Sequence, residues 1–260
     1  LDVATRLNKE KFQVIFAIIG LHPDEEAAIP ASFPQIRFEM PNLHGWRQFL
    51  FSLQLCWVMF KHNIKIIHMR DVVGKKYYCN PCVPYNTGFK ASQGDMIIIQ
   101  NPECCHMGDV LSYVDKHLTD NVYLTFHAYG CTKQDVRDLH EQGKITMFSH
   151  SKKARWYNHE TERPVAFHFC NAITRNNLSK INGFDESFAQ GHNYDDTELL
   201  QRIKNLGLPI KFVADPWVIH QYHRKSYGHP DNPQPTVDNK ALYEALLQTN
   251  KVRAENETQI

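Results

Sequence analysis

Short apolar runs that alternate with helical patterns constrain this chain more than any other feature of its sequence. Several runs are unbroken and rich in Ile and Val, which is typical of strands covered on both faces of a sheet. Strands are predicted at residues 12–19, 36–40, 64–69, 96–100, 122–128, 165–170, 210–213 and 217–220. Strands that alternate with helices predict an α/β layer architecture.

Helical periodicity fills the spaces between several of these runs. Apolar residues recur at helical spacing over residues 45–61, 110–118, 199–206 and 240–248. Gly207 and Pro209 end the third of these helices, and prolines mark residues 227–239 as a loop. The polar tail after the last helix is expected to fray.

Composition and charge exclude several classes of protein. The 260 residues are 42% hydrophobic and 22% charged, which is a globular composition and excludes wholesale disorder. The net charge of +1 gives the protein no overall positive electrostatic field that would attract nucleic acid. No nucleic-acid partner is therefore expected. The longest apolar stretch, residues 49–60, is too short to span a bilayer and is interrupted by polar residues. No transmembrane segment is therefore predicted in this chain.

Residues 1–11 carry charges and no apolar run, which argues against a signal peptide. A cytoplasmic location is therefore expected, with any membrane association made through other parts of a longer chain. Such a longer chain is itself expected, because residue 1 is Leu rather than Met.

The seven cysteines are an odd number and do not suggest a disulfide framework, so a reducing compartment is expected. Cys79 and Cys82 form a Cys-x-x-Cys pair, and Cys104, Cys105 and His106 follow it. These residues could build a zinc site, but no second pair has the usual spacing. Buried free thiols are the favoured interpretation.

Two acidic segments are candidates for chemistry. Glu103 lies on a turn directly after the strand at 96–100, where a carboxylate could hold Mg²⁺ or Mn²⁺ against a diphosphate or could simply be solvated. Asp195 and Asp196 directly precede a helix. Acids at this position cap free N–H groups. One of them could instead face a cleft as a general base.

Two further segments are weaker candidates. His220 and His223 follow a short strand, where one imidazole could bind a metal ion. Arg155, Trp156 and Tyr157 combine a cation with two aromatic rings. That combination could contact a phosphate or a sugar, and an ordinary surface loop is the alternative.

The order of these segments is informative. A loop acid at a strand end is followed by Gly-Phe-Asp-Glu at residues 183–186, then by Asp195 and Asp196 with their helix, then by a strand that ends at His220. This order resembles nucleotide-sugar glycosyltransferases of the GT-A fold. It looks closest to the family-two inverting transferases, with a C-terminal half similar to the galactosyltransferase type.

Four segments carry the resemblance. Residues 86–99 resemble the family's Asn-x-Gly…Ala-x-Gly-Asp segment, which leads into a metal-binding Asp-x-Asp at the position of residues 101–103. The other three are residues 170–186 before the acceptor site, residues 194–202 at the start of a helix, and residues 218–221 on a late strand. The resemblance covers residues 83–223.

The resemblance implies a Rossmann-like α/β GT-A fold with a mixed, mostly parallel sheet and helices on both faces. The implied domain boundaries are residues 1–33 for an N-terminal extension or remnant, residues 34–226 for the GT-A domain, and residues 227–260 for a C-terminal loop, helix and polar tail. Its implied activity is the inverting transfer of a sugar from a nucleoside-diphosphate sugar to a hydroxyl of a glycan or glycoconjugate. A divalent cation, Mn²⁺ or Mg²⁺, is the implied cofactor.

The resemblance also implies roles for individual residues. Asp196 is the expected catalytic base and Asp195 an orienting acid. The implied metal ligands are Glu103, Asn101 and His220. The implied nucleotide-sugar contacts are Asn86, Asp71, Gly88 and Arg155. The implied acceptor contacts are Trp156, Tyr157, Gly183, Phe184, Asp185 and Glu186.

Two departures keep a second interpretation open. Asn101 replaces an Asp of the family's metal-binding motif, and the N-terminal third matches poorly. A catalytically inactive GT-A domain that binds glycan or nucleotide-sugar, or scaffolds a partner transferase, is therefore the alternative. A metal hydrolase that uses His220, His223 and Asp196 ranks lower, because the chain has no His-Glu-x-x-His motif.

Overall fold

A computed structural model describes residues 80–101, 103–135, 155–222 and 235–256, together with the backbone of two short parallel strands, β1 (Ile15–Ile18) and β2 (Lys65–His68). Both strands fall within predicted runs. The predicted strand at 36–40, the predicted helix at 45–61, and Asp71, Cys79 and His223 lie outside the described residues.

The remaining elements follow in chain order. The strands are β3 (Met96–Gln100), β4 (Cys104–Met107), β5 (Tyr123–Gly130), β6 (Arg155–Asn158), β7 (Cys170–Thr174) and β8 (Ile210–His220). The α-helices are α1 (Cys82–Ala91), α2 (Val110–His117), α3 (Arg175–Ile181), α4 (Asp195–Asn205) and α5 (Asn239–Leu246). Two 3₁₀ turns cover Glu186–Phe188 and Leu247–Thr249. No helix within these described residues is long and apolar enough to cross a bilayer.

Six strands form one mixed sheet with β5 near its centre. Its strand order is β3-β7-β5-β8-β4, and β6 pairs with β5 outside this path. Every residue of β5 is buried, as expected for a strand covered on both faces. The predicted α/β fold and mixed sheet are confirmed.

The strand directions differ from the expected, mostly parallel arrangement. Within the described six-stranded sheet only β5 and β8 run parallel, and the other pairs run antiparallel. Parallel neighbours need a long crossover connection, usually a helix. The chain passes from β3 to β4 through residues 101–103 alone, which leaves no room for a crossover helix there.

This short link forces the sheet to curl. β3 and β4 lie at opposite ends of a five-strand path, which in a flat sheet would put them about 19 Å apart at ~4.8 Å per strand. Four residue steps from Gln100 to Cys104 span at most about 14 Å. The two edges therefore approach each other where β3 ends. The link passes the first residue of β7, Cys170, and the last residue of β8, His220.

Helices cover both faces of this sheet. One apolar cluster packs α1, α3 and α4 against β3, β7 and Tyr123 of β5. A second cluster packs α2 against Leu124, Phe126 and Ala128 of β5 and against Val213 and Val218 of β8. Because side chains alternate along a strand, β5 contributes to both clusters.

Some predicted boundaries were wrong. Residues 165–170 were predicted as a strand, but residues 165–169 form an irregular segment, and β7 begins only at Cys170. An apolar run by itself does not distinguish a strand from a buried loop. The favoured interpretation of the cysteines agrees with the structure, since the described ones, Cys82, Cys104, Cys105, Cys131 and Cys170, are free thiols.

The segment after the last helix is docked rather than frayed over residues 251–256. Ala254 and Asn256 are only 1% and 6% exposed. The Ala254 N–H donates to the Ile181 carbonyl at 3.0 Å. The Asn256 amide donates to the carbonyls of Asn182 and Phe184, both at 2.7 Å, and accepts the Glu186 N–H at 2.9 Å. These bonds explain why a polar segment is ordered here.

Replacing Asn256 with Ala should therefore destabilise the fold. Three hydrogen bonds are lost, two of them buried, and two carbonyls lose a partner, so we expect the free energy of unfolding to fall by about 2–3 kcal/mol. Urea unfolding followed by tryptophan fluorescence measures this change. Gln248→Ala, at an exposed position of the neighbouring 3₁₀ turn, is the control and should change stability by less than about 0.5 kcal/mol. An equal effect of both substitutions would show that the segment is not docked in solution.

Candidate active site

Glu103 and His220 meet where β4 begins and β8 ends. The His220 Nε2 atom lies 3.1 Å from Glu103 Oε1, and the Gln221 N–H donates to the Glu103 carbonyl at 3.0 Å. The Asn101 amide nitrogen lies 3.4 Å from the same Oε1 atom. The three residues that the sequence assigned to a metal site are thus adjacent. They lie at the carboxyl ends of the parallel pair β5 and β8, where open α/β sheets bind ligands.

Asp195 and Asp196 open α4 beside a buried histidine. The Asp196 Oδ1 atom contacts His168 Nδ1 and also accepts the His168 N–H at 3.1 Å. The His168 side chain is 7% exposed and that of Asp196 is 25% exposed. Asp195 is buried. One carboxylate is therefore accessible and paired, and its neighbour is shielded from water.

The backbone before this helix holds an unusual conformation. Asn193 and Tyr194 are consecutive non-glycine residues with φ angles of 58° and 67°. Such left-handed conformations cost energy and persist only where surrounding contacts impose them. Here Asn239 donates to the Asn193 carbonyl at 2.7 Å, and its side chain fills the space that a Cβ at Gly191 would need. The start of α4 is thus held by the last helix.

Tyr85 of α1 connects the two groups of polar residues. Its hydroxyl lies 3.2 Å from Asn101 Oδ1, and its ring packs edge-on against His168 at 5.2 Å between centroids. The pKa of Tyr85 is raised well above its usual value by burial and then by the charges of Asp196, Glu103 and Asp195. Through its contacts with Asn101 and His168, Tyr85 therefore borders both groups of polar residues.

Burial and neighbouring charges shift the pKa values of Asp195 and His168. Burial, followed by the charge of Asp196, raises the pKa of Asp195 to about 6. Burial works to lower the pKa of His168, but the charge and hydrogen bond of Asp196 outweigh it, helped by Asp195 and Glu103, and the net shift is upward. The negative charge of Asp196 thus favours the protonated forms of both its neighbours, Asp195 and His168.

Two sets of side chains have the chemistry for a divalent cation. Glu103 and His220 offer a carboxylate oxygen and an imidazole nitrogen close enough to be neighbouring ligands, and Mn²⁺ accepts both types. His168, Asp195 and Asp196 offer ligand atoms that all lie within 4.8 Å of one another. The Asn101 side chain lies within hydrogen-bonding distance of the Tyr85 hydroxyl and of Glu103 Oε1, so both ends of this amide have protein partners.

Several residues predicted to touch ligands are used by the fold instead. Asn86 is fully buried; its amide donates to Phe184 O at 2.8 Å and to Glu186 Oε1 at 3.0 Å, and its oxygen accepts the Phe184 N–H at 2.8 Å. Asp185 accepts the Ser187 N–H and pairs with Lys251 at 3.1 Å. Burial and satisfied hydrogen bonds leave Asn86 and Asp185 little capacity for a substrate.

The other residues near Asn86 and Asp185 that were predicted to contact a ligand also lie within packed structure. Phe184 is fully buried in the aromatic cluster next to Tyr85, and Gly183 has a left-handed φ of 67° in the turn before it. Glu186 remains partly exposed. Gly88 lies within α1 with open space where a Cβ would be, so nothing described there requires glycine.

Trp156 and Tyr157 lie on opposite faces of the strand β6, where the sequence left an ordinary surface loop as the alternative to a ligand contact. The Tyr157 ring lies 4.9 Å from that of His220, and the Arg155 guanidinium lies 5.7 Å from the Tyr157 centroid. Trp156 instead packs against Tyr129 and Trp217. Since side chains alternate along a strand, Tyr157 and Arg155 are directed to the His220 side and Trp156 is directed away from it.

His168 is the residue that sequence reasoning missed. It lies in the apolar run at 165–170, where a lone imidazole among fifteen histidines has no informative spacing. Its pairing with Asp196 joins positions 28 residues apart, which only the fold reveals.

No protein-family model and no curated protein matches the chain. Among solved structures, the catalytic domain of Drosophila beta1,4-galactosyltransferase 7 in complex with xylobiose is similar at 12% identity and a TM-score of 0.44, over 81% of this chain and 77% of that one. A mutant of the same enzyme in complex with manganese, UDP-Gal and xylobiose is similar at 12% identity and a TM-score of 0.42, over 80% and 79%. Similarity at this level does not establish a shared activity.

The raised pKa of Asp195 predicts a pH-dependent cost to stability. The folded state binds this proton more tightly than the unfolded chain, so stability falls as pH rises from about 4 through 6. Asp195→Asn mimics the protonated acid. The free energy of unfolding of the variant, measured relative to that of the wild type, should therefore rise by on the order of 2 kcal/mol between pH 4.5 and pH 7.5.

Urea unfolding at pH 4.5, 6.0 and 7.5 measures this difference. Glu244→Gln, which removes an exposed carboxylate of α5, is the control and should show a nearly constant difference from wild type. A constant difference for Asp195→Asn as well would contradict the assigned burial of this carboxyl group.

Proposed function

We propose that this chain is a glycosyltransferase of the GT-A type, which moves a sugar with inversion from a nucleoside-diphosphate sugar to a hydroxyl of a glycan or glycoconjugate. One observation carries the proposal. Tyr85 borders both groups, which are distant along the chain: its hydroxyl lies 3.2 Å from Asn101, the neighbour of Glu103, and its ring packs 5.2 Å from His168, the partner of Asp196. The proposed diphosphate site and the proposed acceptor site then border the same tyrosine, as transfer of one sugar between them requires.

The proposed chemistry uses Asp196 as the general base. A carboxylate oxygen of Asp196 takes the proton of the acceptor hydroxyl while that hydroxyl oxygen forms a bond to the anomeric carbon. The bond from this carbon to the diphosphate oxygen breaks, and the diphosphate leaves with the electron pair. General-base assistance of this kind typically contributes about 10²–10⁴-fold. Its partial exposure suits Asp196 to this role better than buried Asp195, which we propose orients the acceptor or the start of α4.

Glu103 and His220 are the proposed holders of a divalent cation, Mn²⁺ or Mg²⁺. When bound, such an ion would neutralise charge on the leaving diphosphate. Arg155, an exposed cation on the His220 side of β6, is the proposed diphosphate contact. Tyr157 is the proposed aromatic surface for the sugar or base because its ring lies beside His220. The expected role of Asp71, the domain boundaries and the cytoplasmic location stay predictions.

One observation favours the alternative of an inactive domain that binds its ligands without transfer. Glu103 Oε1 is already within hydrogen-bonding distance of His220 and of the amide of Asn101. A cation must compete with these internal contacts, and it has one acid fewer than the family's Asp-x-Asp would supply. Such a domain would bind a nucleoside diphosphate but would turn over no nucleotide-sugar.

Asp196→Asn should lower transfer at least a hundredfold because the amide cannot accept the hydroxyl proton. Release of nucleoside diphosphate from a panel of nucleotide-sugars, with a glycan acceptor and Mn²⁺, measures this. Asp238→Asn is the matched control, since it makes the same chemical change at the N-cap of α5 and keeps the cap. Near wild-type turnover in Asp196→Asn would exclude it as the base. Nucleotide binding without turnover in the wild-type chain would establish the alternative.

His220→Ala should weaken Mn²⁺ binding at least about tenfold, since one of two proposed ligands is lost. Isothermal titration of Mn²⁺ into the folded protein measures the affinity. His117→Ala removes an exposed imidazole of α2 and should leave the affinity unchanged. Equal affinity of His220→Ala and the wild-type chain would remove His220 from the proposed site.

A further inference from the structure

We infer that His168 is a positioning residue for Asp196, holding one carboxylate oxygen so that the other is directed to the acceptor hydroxyl. This inference rests on the proposed function of Asp196 as the base. It starts from the fact that His168 contacts Asp196 twice. Its ring Nδ1 atom and its own backbone N–H both reach the same oxygen, Oδ1.

Two contacts on one oxygen leave the second oxygen for another partner. No described residue hydrogen-bonds to Oδ2 of Asp196, while the side chain as a whole is 25% exposed. A carboxylate with one oxygen fixed cannot rotate freely about its Cβ–Cγ bond. The free oxygen is then held in a single orientation, and general-base catalysis depends on geometry of this kind.

The His168 ring is itself held in place by aromatic packing. The rings of Tyr85 and Phe184 meet it edge-on, with centroids 5.2 and 5.3 Å away. Those two rings stack on each other at 5.0 Å, and Phe184 is anchored through its backbone by Asn86. A nearly buried imidazole between two fixed rings has little freedom to turn. The orientation of Asp196 is therefore imposed by α1 and by the turn that carries Phe184.

The backbone of this segment also connects the base to the other half of the site. The Phe169 carbonyl, one residue after His168, accepts the Asn101 N–H at 3.3 Å. Asn101 in turn lies beside Glu103. The segment that positions the proposed base is thus hydrogen-bonded to the link that carries the proposed metal ligand, which sets the separation of the two.

A merely packed histidine and a positioning histidine differ in a measurable way. His168→Phe keeps a ring in the aromatic packing and removes the Nδ1 donor, whereas His168→Asn keeps a donor near that atom and removes the ring. We expect His168→Phe to lower kcat about thirty- to a hundredfold with KM for donor and acceptor within about threefold. We expect His168→Asn to recover about tenfold of that loss. His117→Phe, at the exposed histidine of α2, is the control.

A double-mutant cycle identifies the residue through which His168 acts. In an Asp196→Asn background, His168→Phe should lower the residual kcat less than about threefold, because its effect is already lost. Equal losses in both backgrounds, or a loss that His168→Asn does not recover, would contradict the inference. Loss of Mn²⁺ binding in His168→Phe but not in His220→Ala would also contradict it, since His168 would then be a metal ligand.

A readout independent of turnover separates this inference from the proposed function. In long-range ¹H–¹⁵N spectra of the full chain, the His168 Nδ1 proton should give a downfield resonance that disappears in Asp196→Asn. If wild type transfers no sugar but shows this resonance, the pairing is real and the proposed function fails, together with the catalytic meaning of the pairing. If wild type is active and kcat of His168→Phe is unchanged, this inference alone is wrong.

Discussion

The reciprocal hydrogen bonds between the Asn86 amide and the backbone of Phe184 support the arrangement of the whole site. They join α1 to a turn 98 residues later, with both bonds at 2.8 Å and no exposure of Asn86. They place the Phe184 ring against Tyr85 and His168, and His168 contacts Asp196. Asn256 adds a second bond to the Phe184 carbonyl, so the C-terminal segment secures the same turn. A buried amide that makes all these bonds is costly to replace.

The curl of the sheet is the second constraint on the site. Because residues 101–103 connect strands at opposite ends of the strand path, the link must pass over the ends of the strands between them. That path brings Glu103 to His220 at the end of β8 and brings Asn101 to Phe169 just before β7. The proposed metal ligands come together here because a short link joins distant edges.

Prediction from sequence succeeded where the local pattern and the tertiary environment agree. β3 lies at the predicted residues 96–100, and α2 and α4 lie within one to four residues of their predicted bounds, since strand and helix periodicities are visible over such lengths. α1 was not predicted, because Pro84 and Gly88 lower its helical tendency and packing in the core decides its conformation. Glu103 and His220 are in contact, which is the proximity that the resemblance implied, and their binding of a metal ion stays a prediction. Asn86 and Trp156 take positions that no spacing indicated.

The amino-acid sequence by itself determined the α/β class, the major periodic elements, and the candidate acids and histidine at strand and helix ends, because these depend on patterns over neighbouring residues. Only the tertiary structure decided which of those side chains stabilise the fold through hydrogen bonds and which of them face the candidate active site. Asn86 and Asp185 became structural residues because burial required their hydrogen bonds to be satisfied. His168 contacts Asp196 because tertiary packing brings together residues that are far apart in sequence.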